Sequence, residues 1–131
     1  MTEEQRALVL HRMNRAREAI EEARVLLTAN HANACVNRLY YACFYAVSAL
    51  ILTEGRSSSK HSGVRAIFDQ EWVKPGHVPI ELGRLYRRLF ESRQQSDYAD
   101  FVTFEVSTVS SWVDEAFHFV ETVGTVIEDR A

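Results

Sequence analysis

Residues 36–52, VNRLYYACFYAVSALIL, are apolar or aromatic on almost every side, with one charge, Arg38, near their start. A helix that is hydrophobic all round must be central in its fold, or must face a core on one side and a partner subunit on the other. Dimerisation is therefore an expectation from this element alone. Tyr41, Tyr45 and Ser48 share the Arg38 face at helical spacing. An arginine in such a helix needs its charge satisfied, because an unpaired buried charge costs several kcal/mol.

The rest of the chain is also helical in period. Val9, Met13, Ala16, Ile20, Ala23 and Leu27 recur at three- and four-residue steps and predict a long first helix from Glu3 to Ala29. Asn30 reads as the N-cap of the second helix, which runs to Thr53 with Gly55 as its stop. Residues 55–59 form a loop, in which Ser58 or Ser59 caps a shorter third helix over Lys60–Trp72. Lys74-Pro-Gly-His makes a turn, and a fourth helix starts near Pro79, where proline is tolerated. It continues through Leu82, Leu85, Tyr86, Leu89 and Phe90. After a break around 96–101, a last helix carries Val106, Val109, Val113, Phe117, Val120, Val123 and Ile127. No segment alternates as a strand would, and no repeat or disordered tail stands out. The expectation is one all-α domain over residues 1–131, an antiparallel bundle with short connections.

Composition narrows the function classes. The 131 residues are 47% hydrophobic and 25% charged, enough for a core without disulfide or metal staples. The five Gly and two Pro exclude a fibrous or low-complexity chain. The apolar run is short of the ~20 uninterrupted apolar residues a membrane span needs, and the first residues are too charged for a signal peptide. Cys35 and Cys43 stand on one helix, separated by ~12 Å of rise, too far to bridge. A reducing cytoplasm and no membrane follow as expectations. No Gly-rich phosphate loop, nucleophile elbow or zinc motif occurs, and the five histidines are scattered, so neither a metal nor a cofactor is expected.

The net charge of −3 is unevenly distributed: neutral over 1–55, net +4 over 56–93 and net −7 over 97–131. Thirteen of the fifteen cations are Arg, the better residue for bidentate phosphate contacts. The plain reading of the basic middle is a solvated helix face; the other is a phosphate site. The fourth helix supports a site. Its apolar stripe runs from Leu82 through Leu89 onto Arg93 and Asp97, while Arg84, Arg87 and Arg88 lie off it. Charged residues where the pattern calls for apolar ones mark either function or a structural network joining Arg38, Asp97 and Arg93. Lys60 and His61 open the third helix, where free N–H groups favour an anion.

Three short strings taken together resemble the HEPN domain family: Asn37-Arg38-Leu39-Tyr40-Tyr41-Ala42, Ser59-Lys60-His61-Ser62-Gly63-Val64, and Arg93 followed by Asp97-Tyr98. The likeness is to the small stand-alone prokaryotic members and spans roughly residues 5–125. It implies an up-and-down bundle of four to five helices that forms a homodimer. It also implies pairing with a minimal nucleotidyltransferase, as in toxin–antitoxin systems where the HEPN protein is the toxin. Many members are metal-independent ribonucleases whose site is an Arg, four to six residues, then a His. Here Arg93 is similar in position to that arginine, but Tyr98 stands where the histidine belongs. Tyrosine, with an ordinary pKa near ~10, is a poor general base at neutral pH. Catalysis then requires His61 to fold over the site.

The resulting expectation is an RNA- or nucleotide-binding cleft with Arg93, Asp97 and Tyr98 as its catalytic set and Arg38, Tyr41, Lys60 and His61 as its phosphate contacts. The competing expectation is a non-catalytic module that docks the partner enzyme. A third is that Tyr98 or a serine accepts a nucleotide from that partner.

Overall fold

The computed structural model describes residues 1–98 and 102–130, with Tyr98 described in its backbone only. Five helices follow one another: α1 Glu3–Thr28, α2 Ala32–Leu52, α3 His61–Phe68, α4 Ile80–Tyr98 and α5 Val106–Arg130. A π-helical turn, Asp69–Val73, continues α3. No strand occurs among the described residues, and the all-α expectation holds.

Cross-helix pairs give the topology. Arg12, Arg15 and Glu22 of α1 meet Ser48, Tyr45 and Arg38 of α2 in turn, so these helices run antiparallel. The end of α4 faces Asn33, Asn37 and Arg38 across a shallow groove, while Tyr86 stacks on Tyr40 one step further on. Helix α4 is thus also antiparallel to α2. Helix α5 starts beside the first turn of α2, where the Asn33 amide donates to Val102 O at 2.7 Å and accepts from Phe104 N at 3.0 Å. It ends beside the last turn, where Arg130 bonds Glu54. The chain therefore goes up, down, up, down, with α3 and the π turn bridging α2 to α4.

Helix α2 is the shared element, as its all-round apolarity requires. It is long and apolar enough by composition to cross a membrane, with mean hydropathy 1.4 in its most apolar window, but 67% of that window is buried inside the protein. Leu39, Tyr40, Cys43, Val47 and Leu50 are fully enclosed, alongside Ile20, Phe68, Tyr86, Leu89 and Phe119. Burial pushes the Cys35 thiol up to about 11 and the Cys43 thiol higher still, so both are inert apolar packing groups.

Two caps differ from the sequence reading. Asn30 does not start α2; it ends α1. Its φ of +66° is left-handed, and the amides of Asn30 and His31 bond Leu27 O and Leu26 O, a Schellman closure. Asparagine tolerates that conformation as well as it caps, which is why the string was ambiguous. Gly55, at φ +69°, closes α2 in the same way. Nor does a serine cap α3: Lys60 is its N-cap, and the Ser58 hydroxyl accepts from Lys60 N at 3.2 Å. Gly63 is needed there, since a Cβ would lie 2.1 Å from Ser58 Oγ.

The basic middle of the chain is largely a paired, solvated face. Arg56 binds Glu71, Arg65 lies by Asp69, Arg87 by Glu91, and Arg88 by Glu115 of α5.

Candidate functional site

Where α2, α3 and α4 converge, aromatic rings surround one guanidinium and one imidazole. Tyr40 and Tyr41 project from one turn of α2 and Phe44 from the next, each within 6.0 Å of the others between ring centres. The first residue of α3, His61, stacks on Phe44 at 4.3 Å and places Nδ1 2.8 Å from the Tyr40 hydroxyl. Arg93 comes from α4, with its guanidinium carbon 5.2 Å from the Tyr40 ring centre and 5.3 Å from that of Tyr41. One of its terminal nitrogens donates to the Tyr41 hydroxyl at 3.2 Å.

The Arg93 side chain is 17% exposed, and its Nε lies 3.0 Å from Asp97 Oδ2, an ion pair one helical turn on. That N–H is not aimed at the carboxylate and makes no hydrogen bond. The guanidinium is thus neutralised in part, with donors left over.

The electrostatics favour uncharged neighbours around this cation. Burial, helped by the Arg93 charge, lowers the His61 pKa below its ordinary value near 6.5, so the ring is neutral at pH 7. Burial pushes the Tyr40 phenol up to about 12 against the opposing pull of Arg93. With Nδ1 engaged by Tyr40, the Nε2 of His61 makes no hydrogen bond to another described residue.

Of the residues singled out in sequence, Arg93, Asp97, Tyr41 and His61 do come together. Arg38 joins at the edge: its guanidinium carbon lies 5.0 Å from the Tyr41 ring centre, while one terminal nitrogen of the same group pairs with Glu22 of α1 at 3.3 Å. The expected Arg38–Asp97–Arg93 network is therefore not formed. The stripe Arg38, Tyr45, Ser48 faces α1, and its polar partners come from there. Lys60 is exposed at the N-cap of α3. The Tyr98 side chain lies outside the described residues. Tyr40, itself fully buried in the core, and Phe44 are what brings His61 to Arg93. Their four-residue spacing on the helix opposite Arg93 was the available signal. No group of three potential metal ligands occurs among the described residues.

Fold and site together define a class: an all-α, up-and-down helical protein with an arginine–tyrosine–histidine cluster at the junction of its second, third and fourth helices. The chain belongs to the HEPN domain family, which it matches over residues 9–128. It is 44% identical over 126 residues to a UPF0332 protein of Thermotoga maritima, with 96% of each chain covered. To the Methanocaldococcus jannaschii protein named "Putative toxin MJ0605" it is 28% identical over 87% of this chain and 84% of that one. A second protein of that organism, "Putative toxin MJ0142", is 33% identical over 66% of this chain and 58% of its own.

Proposed function

We propose that this chain is the toxin-like member of a HEPN–nucleotidyltransferase pair, acting in the cytoplasm as a homodimer, and that it binds RNA or a nucleotide at the Arg93 cleft. The observation that carries this is a partly exposed guanidinium held against two tyrosine rings beside a neutral histidine. Arginine's fork suits a phosphate, and the half-exposed Tyr41 ring offers a face on which a base can stack. The family match and the names of the two archaeal relatives support the toxin-like part; the nucleotidyltransferase partner rests on the family resemblance.

Metal-independent RNA cleavage needs a base for the 2′-hydroxyl proton and a cation for the charge that develops on phosphorus. His61 fits the first role through Nε2, with Tyr40 fixing its ring, and Arg93 fits the second. Asp97 holds Arg93 in place. Lys60 and Arg38 flank the cleft as outer phosphate contacts, and Tyr98 occupies the position of the family's histidine.

The test is a titration of the purified protein with nucleotides and a short single-stranded RNA at two salt concentrations, with chelator present and cleavage scored in the same tubes. Binding should weaken with salt and fall roughly tenfold or more in Arg93→Ala, equivalent to ~1.4 kcal/mol. Cleavage should vanish in His61→Ala. A folded protein that binds neither ligand sinks this reading and favours a non-catalytic docking module. The Arg93–Asp97 pair is the observation in that module's favour, and Arg93→Ala would then lose stability with no binding to lose.

A further inference from the structure

Four arginines are half-buried among the described residues: Arg12, Arg38, Arg65 and Arg93. Three have a carboxylate partner, namely Glu22 for Arg38, Asp69 for Arg65 and Asp97 for Arg93. Arg12 has none. Its one hydrogen bond goes to the Ser48 carbonyl at 3.2 Å. Burial lowers its pKa with no nearby anion opposing the shift. A partly desolvated cation with only a neutral acceptor is costly unless something else balances it.

What surrounds Arg12 indicates the balancing group. It lines a cavity of about 300 Å³ between α1 and α2, at the small end of the range for ligand sites. His11 and Arg15 stand beside it on α1, and the Ser57 and Ser58 hydroxyls close the cavity from the loop before α3. No aspartate or glutamate lines it. Arg15 is held in place: it donates to the Tyr45 hydroxyl at 3.1 Å and packs 5.0 Å above that ring. Its nearest carboxylate, Glu18, is 3.9 Å away and exposed, where such a pair contributes little. Apolar surface comes from Phe44 and Ile51 of α2.

We propose that this cavity binds a small phosphorylated ligand, with Arg12, Arg15, Ser57 and Ser58 taking the phosphate and Phe44 and Ile51 taking the ligand's ring or apolar body. Two guanidinium forks and two hydroxyls supply more donors than the two oxygens of a carboxylate use well, and they suit the oxygens of a phosphate. The cavity shares no charged residue with the Arg93 cleft. Phe44 lines the cavity and also stacks on His61, and Tyr45 of the cavity packs against Tyr41.

The experiment is calorimetric titration of the full chain carrying Arg93→Gln, which removes the other phosphate-competent guanidinium. Inorganic phosphate, AMP, adenosine and acetate are compared at constant ionic strength. Phosphate and AMP should bind, AMP the tighter, while adenosine and acetate give no heat. Adding Arg12→Gln should weaken AMP roughly tenfold or more, and Arg15→Gln somewhat less. If Arg12→Gln fails to fold by circular dichroism, the double change Ser57→Ala, Ser58→Ala in the loop gives the same readout. Absence of phosphate and AMP binding by folded protein overturns the proposal, as does AMP binding indifferent to these changes. Acetate binding as well as phosphate overturns the ligand class. Because Arg93 is already absent, failure here leaves the RNA-cleft reading standing, and failure of RNA binding leaves this one standing.

Discussion

Helix α2 has a guanidinium against each of two faces, and the two are compensated differently. Toward α4, Arg93 lies over Tyr40 and Tyr41 with Asp97 3.0 Å from its Nε. Toward α1, Arg12 reaches a backbone carbonyl and, among the described residues, no carboxylate. The comparison shows that a buried cation is not one kind of feature. On the α4 side the protein has built most of the counter-charge itself, though the buried Nε–H of Arg93 makes no hydrogen bond. On the α1 side the counter-charge is left to come from outside.

Phe44 is common to both faces, so its removal is the severest test of their separateness. Phe44→Ala should cost ~2–4 kcal/mol in urea denaturation, a half-buried ring losing somewhat less than a fully buried one. It should also weaken ligand binding on both faces. Damage confined to one face would mean that the ring does not connect them.

A smaller change separates the faces. Gly63→Ala forces Ser58 away, because the added methyl would stand 2.9 Å from Ser58 Cβ as well as 2.1 Å from its Oγ. We expect ~1–3 kcal/mol of lost stability and weaker AMP binding in the α1-side cavity. RNA binding at Arg93 should change less, and an equal loss at both would argue that the serine loop serves the cleft instead.

Smaller again is Tyr40→Phe, which removes only the hydroxyl that holds His61 Nδ1. About 1 kcal/mol of stability should be lost. In ring-proton NMR, His61 should lose its fixed orientation while Arg93 keeps its place over the rings.

Acidification should give the smallest effect. His61 binds its proton less readily folded than unfolded, so the unfolded chain takes up more protons once the pH nears the ordinary value. Stability contributed by the neutral ring is complete above about 6.5 and declines as the pH falls through 6.5 toward the lower folded value. Denaturation midpoints from pH 7.5 to 5 should show that slope in the wild type and a flatter one in His61→Gln. Identical slopes would show that His61 is not desolvated.

The helices were legible because their causes are local. The first helix was placed from its apolar spacing and starts at Glu3 as read, with Thr2 and Gln5 closing a capping box. The centrality of α2 followed from its all-round apolarity. Asn30 was misassigned because asparagine suits both a helix start and a left-handed stop. The π turn at Asp69–Val73 gave no signal, since its sequence continues the helical period of α3.

The site was half legible. Arg93 and Asp97 could be marked because charges on an apolar stripe break the pattern. The partner of Arg38 could not, because residues on three helices share similar periodicity and only their relative register selects Glu22 over Asp97. Arg12 gave no warning at all: on α1 it is one of several arginines spaced along an exposed-looking helix.

By itself, then, the sequence determined the class of fold, the place of α2 at its centre and the family, because periodicity, capping and apolar content act within a single helix. The tertiary structure alone decided which charges meet. That His61 reaches Tyr40, that Arg38 turns to α1, and that Arg12 meets no carboxylate among the described residues all depend on how far each helix slides and rotates against α2. A shift of one turn moves a side chain by ~5.4 Å, more than the reach of an ion pair.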